Sequence, residues 1–218
     1  SLNKTMCNRF RQPSSSKISS FISGEIILNS SSHEADEVDG LDVFPDHDAE
    51  LICIDDNKKF FRENGRWGFP AINKKEKPIT NIRNVGAWWW REKNKQFLFE
   101  KKYRCLIPFS EFAEPPRRPV WFKTKSNQMS FFAGIWCSWE GERLEKGDKK
   151  SKRIRKHSTW KLFAFLTTNP NEVVKPYHSN SMPVIIRGEK EALSWLQGGR
   201  GSLKDVQKPI HASPLIGI

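Results

Sequence analysis

The sequence MSFFAGIWCSW at residues 129–139 decides the fold class, because it is a run of apolar, aromatic and β-branched residues. TWKLFAFLTT at residues 159–168 has the same character. Runs of this kind favour β-strands when turn residues flank them. Four further runs are predicted as strands: AELICIDD (49–56), RWGFPAI (66–72), KQFLFEKKYRCLIPF (95–109) and PVWFKTK (119–125).

Helix signals are few by comparison. EKEALSWLQ at residues 189–197 is the best candidate, and GAWWWREK at residues 86–93 is a second one. The excess of strands over helices predicts an α+β fold: a single domain with a curved, mostly antiparallel, barrel-like β-sheet flanked by a few helices. A chain of 218 residues is long enough for one such domain with a substantial core.

The ends and the polar stretches set the domain boundaries. Residues 1–5 are interpreted as a tag remnant or N-terminal extension, and residues 6–218 as the single domain. Residues 12–40 are rich in serine and then acidic, around an apolar island, FISGEIIL (21–28), that is predicted as a surface helix or strand. Residues 140–158 are predicted as a basic inserted loop, for which a solvated hairpin and a phosphate-contacting arm both remain open.

The charge of the chain indicates a class of partner. Lys and Arg total 37 against 25 Asp and Glu, which gives a formal net charge of +12. A polyanion is the natural partner of such a chain, and nucleic acid is the first candidate. No run approaches the roughly 18 apolar residues that a membrane span needs, and no signal-peptide pattern is present, so we expect a cytoplasmic protein without membrane contact.

The cysteines exclude two kinds of site. Four are present and none forms a C-x-x-C pair, so neither a zinc site nor a disulfide framework is indicated. Cys53, Cys105 and Cys137 lie in apolar runs, where cysteine usually acts as a small buried hydrophobe. We expect neither a metal nor any other cofactor. Cys7 lies outside the apolar runs, so it is the cysteine for which a chemical role is expected.

A series of short motifs follows in order along nearly the whole chain. They are MCNRF (6–10), WGFP (67–70), NIR (81–83), RCLIP (104–108) with EFAEP (111–115), AGIW (133–136), TTN (167–169), and His178 shortly before MPV (182–184). This series resembles the SRAP family, the SOS response-associated peptidases that crosslink to abasic sites in DNA. Family members show MCGRF, WGL-P, NAR, RCL-P followed by GFYEW, AGLW, TT-AN, and a histidine before RMPV.

The resemblance implies a role for each matching residue. Cys7 is implied as the nucleophile, Glu114 as the acid/base, and Asn81 and His178 as assisting groups. The residues implied in DNA binding are Arg83, Arg9, Trp67, Thr168, Met182 and Pro183. The implied partner is single-stranded DNA with abasic sites, bound by a protein that we expect to be a monomer.

The chemistry explains why an N-terminal cysteine is needed. A ring-opened abasic sugar exposes an aldehyde, and an α-amine with a pKa near 8 is partly neutral at physiological pH and can condense with it. The thiol of the same residue then closes a five-membered thiazolidine. A partly desolvated carboxyl such as Glu114 suits the proton transfers, and His178 can shuttle a proton near neutrality. Asn81 cannot titrate, so it is expected to orient the amine or an oxygen.

The sequence also departs from the family pattern. Asn8 replaces a glycine, and Asn is the best-tolerated substitute if that backbone needs a positive φ. Glu111 stands where glycine is expected and competes with Glu114, although Phe112 fixes the register in favour of Glu114. Ala113 and Pro115 replace the aromatic residues that flank the acid.

A further departure concerns the grip on DNA. Ser181 replaces the arginine before MPV, which deletes a phosphate contact. The DNA strand is therefore expected to be held by other groups, with the insert at residues 146–161 and the tryptophans at residues 88–90 as candidates.

Three functions remain open from the sequence. The first is covalent linkage to abasic sites through Cys7 after the preceding residues are removed, together with autoproteolytic and AP-lyase activity. The second is a cysteine peptidase acting on other proteins, with Cys7 and His178 as its dyad. The third is a non-catalytic nucleic-acid-binding relic of the family, which binds DNA in a salt-sensitive way and forms no covalent product.

Overall fold

The computed structural model describes residues 7–25, 40, 42–73, 77–114, 118–125, 128–144, 154–198, 202–210 and 215–217. The N-terminal extension at residues 1–5, most of the acidic stretch before Gly40 and the centre of the basic insert lie outside the described residues. The same holds for Pro115, so nothing is said of the side chain that replaces the second aromatic residue of the family motif.

The elements have the following bounds. In chain order they are β1 (Phe10–Arg11), α1 (Ser15–Ser23), β2 (Asp42–Val43), β3 (Asp48–Ile54), β4 (Phe60–Trp67), β5 (Asn81–Ile82), a π-helix (Trp89–Lys93), α2 (Lys95–Phe99), a 3₁₀-helix (Lys101–Tyr103), β6 (Arg104–Phe109), β7 (Glu111–Glu114), β8 (Val120–Thr124), β9 (Ser130–Leu144), β10 (Arg155–Thr168), β11 (Met182–Pro183), β12 (Ile185–Arg187), α3 (Gly188–Gln197), α4 (Ser202–Val206) and β13 (Leu215–Gly217).

Five strands close into a barrel. The order β10-β4-β3-β6-β9 returns to β10, because β9 pairs with both β6 and β10. The β10–β4 pair is parallel and the other pairs of the ring are antiparallel. A helix at Gly188–Gln197 follows, as predicted for residues 189–197. The α+β fold with a curved, mostly antiparallel, barrel-like sheet is therefore confirmed.

A second, five-stranded antiparallel sheet packs beside the barrel. Its order is β13-β8-β7-β1-β2. Its inner face joins the barrel interior in one core, where the ring of Phe10 makes edge-on contacts with Trp67 at 5.0 Å and Phe132 at 5.4 Å. Burial of aromatic side chains supplies much of the favourable free energy of folding, so the two sheets stabilise each other.

A separate core covers the outer face of the barrel. Ile18 of α1, Leu98 of α2 and Trp195 of α3 are buried there against barrel residues such as Leu162. The helices therefore close the sheet from outside, while the interior faces the second sheet. No helix of the described residues is long and apolar enough to cross a membrane.

Two predictions about the elements are wrong. Residues 95–103 are helical, as α2 and a 3₁₀-helix, and the predicted strand begins only at Arg104. Residues 140–144 and 155–158 belong to the β9–β10 ladder instead of a loop, with Arg155 opposite Leu144. The described parts of the basic insert thus form a two-stranded arm, and residues 145–153 lie outside the described residues.

The cysteines in apolar runs are core residues, as predicted. Cys53, Cys105 and Cys137 are buried, and all four cysteines of the chain are free thiols. Burial raises the pKa of the Cys53 and Cys137 thiols to about 12. Thiols that stay protonated are poor nucleophiles, so these residues contribute packing.

Candidate active site

Four residues that are far apart in the sequence meet at one end of the core. Cys7 precedes β1, Asn81 begins β5, Glu114 ends β7, and His178 follows the turn after β10. All four side chains are buried. The predicted catalytic residues are therefore brought together by the fold.

The register of the second sheet places Glu114 toward Cys7. Phe10 of β1 pairs with Phe112 of β7, and both rings are fully buried. Side chains alternate along a strand, so Glu114 shares the inner face with Phe112, and Glu111 points to the other face. There Glu111 accepts a hydrogen bond from Arg11 at 2.7 Å. The geometry thus separates the two carboxylates in the way that Phe112 predicts.

The Glu114 carboxyl is buried, and among the described residues no arginine or lysine forms an ion pair with it. Neither of its oxygens accepts a hydrogen bond within the part of the chain that the structure describes. Desolvation by burial raises the pKa of Glu114 to about 8, and its interaction with Cys7 offsets only part of that rise. At neutral pH the carboxyl is therefore mostly protonated and can donate a proton.

The Cys7 thiol shares this desolvated environment. Its side chain is 1% exposed, and the thiol donates weakly to the Arg9 carbonyl oxygen at 3.8 Å. Burial raises the pKa of Cys7 well above its ordinary value, and the nearby Glu114 raises it further. The resting site consequently holds a neutral thiol beside a neutral carboxyl.

The His178 ring is oriented by a backbone carbonyl. Its Nδ1 lies 2.7 Å from the Ser181 carbonyl oxygen and 3.8 Å from Glu114 Oε2. A carbonyl oxygen only accepts hydrogen bonds, so Nδ1 carries the proton that it donates to Ser181. Ser181 thus fixes the tautomer of His178 through its main chain, which the sequence motif did not reveal.

Asn81 holds the backbone of Cys7. Its Nδ2 donates to the Cys7 carbonyl oxygen at 3.0 Å and to Thr80 Oγ1 at 2.8 Å. Pairing of Asn81 with Phe165 anchors this amide to the barrel. Its Oδ1 is buried and accepts no hydrogen bond from the described residues. The predicted orienting role of Asn81 therefore has a direct geometric basis.

Two further hydroxyl groups lie near these residues and were missed from the sequence. Thr167 Oγ1 and Ser181 Oγ are both buried and make no hydrogen bond with the described residues. Thr167 pairs with Pro183 across β10 and β11, directly before the strand residue Thr168. The TTN motif and the position before MPV are the sequence signals that mark these hydroxyls.

Four of the predicted DNA contacts are core residues. Trp67 is fully buried, stacks on Phe165 and donates its indole N–H to the Thr80 carbonyl oxygen at 3.0 Å. Thr168, Met182 and Pro183 are also buried. The structure thus places these four side chains in the core, and the contact with DNA that the resemblance implies for them stays a prediction.

The two predicted arginine contacts are partly exposed. The guanidinium of Arg9 is paired with Asp42 and lies over the rings of Phe44 and Trp121, at 5.1 and 4.9 Å. Arg83, two residues beyond Asn81, donates to the side-chain oxygen of Asn169. Arg83 is therefore the better placed of the two to meet a phosphate, because Arg9 already has a carboxylate partner.

The tryptophan cluster presents one ring to solvent. Trp90 is buried in the outer core, whereas Trp88 is exposed and carries the Lys93 ammonium 5.3 Å from its ring centroid.

The backbone at Asn8, which replaces a glycine of the family motif, does not have a positive φ, because the positive-φ non-glycine residues among the described ones are Asp46 and Lys58. Within the described residues no group of three or more His, Cys, Asp or Glu side chains is placed to hold a metal ion.

Comparison with known proteins agrees with this geometry. The family model described as SOS response associated peptidase (SRAP) matches residues 6–215. No curated protein matches the chain in sequence. Identities below a quarter, as in the structures that follow, show the fold alone.

Three solved structures share the fold. A Bordetella bronchiseptica protein superposes with a TM-score of 0.68 at 18% identity, over 97% of this chain and 98% of its own. A phage-related protein from the same organism gives 0.58 at 14% identity, over 97% and 93%. A Bacteroides thetaiotaomicron protein gives 0.57 at 17% identity, over 81% and 75%.

Proposed function

Because the chain belongs to the SOS response associated peptidase (SRAP) family, we propose that it binds single-stranded DNA and forms a covalent thiazolidine link to abasic sites through Cys7. The link requires a free α-amine, so the residues before Cys7 are removed first, by an aminopeptidase or by the site itself. The observation that carries the proposal is the convergence of Cys7, Asn81, Glu114 and His178 in one buried cluster.

The reaction balances with the groups present. The α-amine of Cys7 adds to the sugar aldehyde and gives a carbinolamine, whose hydroxyl takes a proton from Glu114 and leaves as water. The thiol sulfur then bonds to the resulting iminium carbon, and the thiol proton returns to the Glu114 carboxylate. The net change is one water lost and one thiazolidine formed, and reversal of the same steps releases the intact abasic site.

The electrostatics of Glu114 support both proton transfers. A carboxyl with a pKa of about 8 is protonated before dehydration and is a strong enough base afterwards to take the thiol proton. The thiol itself needs such a base, because burial and Glu114 keep it protonated. Acid and base are thus the same group at two stages of one reaction.

Asn81 and His178 have supporting roles in the proposed reaction. Asn81 fixes the Cys7 carbonyl and so limits the directions that the amine can take. His178, with Nδ1 committed to the Ser181 carbonyl, exchanges a proton through Nε2 with the departing or entering oxygen. Arg83 is proposed to contact a phosphate, in keeping with the net charge of +12.

The cysteine peptidase alternative is less well supported by the electrostatics. Peptidases of that class attack with a thiolate whose pKa is lowered by a histidine. Here the pKa of Cys7 is raised, and the His178 Nδ1 faces a carbonyl and a carboxyl. Self-cleavage before Cys7 remains part of the proposal, with the ionised fraction of Glu114 as the group that takes the thiol proton in that step.

Intact-mass spectrometry tests the proposal. A chain that begins at Met6 is incubated with a single-stranded oligonucleotide carrying one abasic site. We expect a species that lacks methionine and gains the oligonucleotide mass minus one water. Cys7→Ser is the matched control: it keeps the α-amine, so it forms only an imine that borohydride must trap. A stable adduct with Cys7→Ser, or none with the unaltered chain, would contradict the proposal.

A further inference from the structure

An exposed aromatic side chain stands directly beside the catalytic histidine. Tyr177 precedes His178 in the chain and is 51% exposed. The edge of its ring meets Phe122 of β8 with the ring centroids 5.9 Å apart. Phe122 lies opposite Phe112, on the face of the second sheet that also carries Glu114. One side of the Tyr177 ring is thus anchored next to the acid, and the rest is open.

The backbone holds this ring in place. Asn171 Oδ1 accepts the N–H groups of Val173 and Val174 at 3.1 Å each, and Val174 is fully buried. The N–H groups of Tyr177 and His178 in turn donate to the Val174 carbonyl oxygen, at 3.0 and 2.9 Å. An aromatic ring on a turn fixed in this way loses little conformational entropy when it binds a partner.

The same loop binds a cation from another part of the chain at its other end. Asn169 accepts a hydrogen bond from Arg83, which lies two residues beyond Asn81 in the chain. The loop at residues 169–181 thus contains Asn169, which binds Arg83, and the exposed ring of Tyr177. It also contains His178 and the carbonyl that orients it. A cationic group for a phosphate and an aromatic face for a base are the two contacts that single-stranded nucleic acid requires.

We propose that Tyr177 is the stacking platform for an unpaired base next to the abasic nucleotide, and so a residue that sets affinity for single-stranded DNA. The inference rests on the proposed function for the choice of partner.

The test uses an oligonucleotide that cannot crosslink. It carries a tetrahydrofuran abasic analogue, which has no aldehyde, beside the fluorescent base 2-aminopurine, whose emission falls when it stacks. We expect quenching with the unaltered chain and with Tyr177→Phe, and loss of quenching with Tyr177→Ala. Affinity for Tyr177→Ala should fall about 5- to 150-fold, the effect of removing one aromatic stacking partner.

Phe61→Ala is the matched control. Phe61 is 38% exposed on β4, where the parallel pairing with β10 places it roughly 25 Å from the Asn81 end of the barrel. This variant should bind and quench like the unaltered chain. Tyr177→Leu separates the π face from apolar bulk and is expected to lose quenching also, so the inference stays testable if Tyr177→Ala unfolds.

The outcomes separate this inference from the proposed function. Quenching that depends on Tyr177, without an adduct on a true abasic site, would uphold the stacking role and contradict the covalent chemistry. An adduct together with unchanged quenching and affinity in Tyr177→Ala and Tyr177→Leu would overturn the stacking role alone. Absence of DNA binding by the unaltered chain would overturn it as well.

Discussion

Asp46 and Glu114 are both carboxyl groups set against the aromatic core, and they differ in their partners. Asp46 accepts hydrogen bonds from two buried arginines, Arg66 at 2.7 Å and Arg143 at 3.2 Å. The Arg143 guanidinium also donates to the Gly68 carbonyl oxygen at 2.8 Å. Glu114 has no such cation beside it, and its oxygens accept no hydrogen bond within the described ranges.

The two clusters differ in whether the buried charge is compensated. In the Asp46 cluster the charges compensate one another, which suits a structural tie between β4, β9 and the loop before β3. In the Glu114 cluster no arginine offsets the cost of burying the carboxyl. Glu114 therefore keeps its proton up to about pH 8, and its buried oxygens stay available to a ligand. The Asp46 cluster therefore ties the fold together, whereas the Glu114 cluster holds a buried carboxyl whose pKa is raised.

The largest expected effect concerns the rate of adduct formation. Glu114→Gln keeps the shape of the side chain but cannot donate or accept a proton in the reaction. We expect crosslinking to slow by about 10²- to 10⁴-fold, the usual contribution of a general acid/base. Single-turnover adduct formation followed by mass spectrometry measures it, and Glu111→Gln, on the opposite face of the strand, should change the rate less than about threefold.

The second effect concerns stability against pH. Because the folded pKa of Glu114 is about 8 and the unfolded value is near 4.3, its stabilisation is complete below the unfolded pKa and is lost as pH rises through about 8. Glutamine does not titrate, so Glu114→Gln does not lose stability in this way. The free energy of unfolding of the variant relative to the parent should therefore rise by on the order of 4 kcal/mol between pH 5 and pH 9. Urea unfolding at several pH values measures the difference; a constant difference would argue against the raised pKa.

The third effect concerns the compensated cluster. Asp46→Ala leaves Arg66 and Arg143 buried with no carboxylate between them, and the free energy of unfolding should fall by about 2–3 kcal/mol. Asp46 is partly exposed, which keeps the loss below the value for a fully buried pair. Asp56→Ala, in the exposed turn between β3 and β4, is the control and should change stability by less than about 0.5 kcal/mol. Equal losses in both variants would remove the contrast between the clusters.

The smallest effect concerns His178. Its Nδ1 is held by the Ser181 carbonyl, and Glu114 remains to carry the main proton transfers. His178→Asn should therefore slow crosslinking by only about 10-fold, which is below the usual contribution of a principal acid/base. Affinity for the uncleavable tetrahydrofuran oligonucleotide should stay within about twofold, and a large loss of affinity instead would assign His178 to DNA binding.

The sequence predicted β3, β6, β9 and β10 of the barrel, but it placed the strand at residues 66–72 instead of Phe60–Trp67. Residues 97–99 are three consecutive apolar residues, which are typical of a buried strand, yet packing against the outer core makes them helical. The polar composition of residues 140–144 and 155–158 predicted a loop. There, cross-strand pairs such as Arg155 with Glu142 hold a two-stranded arm instead.

The DNA contacts were the weakest part of the sequence interpretation. A motif such as WGFP records which residues recur in a family but does not record whether the ring faces the core or the solvent. Trp67 proved to be core, while Tyr177, which no motif marks, proved to be exposed beside His178. Alternation along β7 places Glu114, and not Glu111, on the inner face with Phe112, as the sequence register predicts.

The most direct measurement is the titration of the Glu114 carboxyl by NMR in protein labelled with ¹³C at the glutamate side-chain carboxyl, with Glu114→Gln to assign the signal. The uncompensated burial of Glu114 predicts one resonance that titrates near pH 8 and is missing from the variant. A Glu114 resonance that titrates near its ordinary value, about 4.3, would mean a charged carboxylate beside Cys7. That result would contradict the neutral thiol and carboxyl pair on which the proposed chemistry depends.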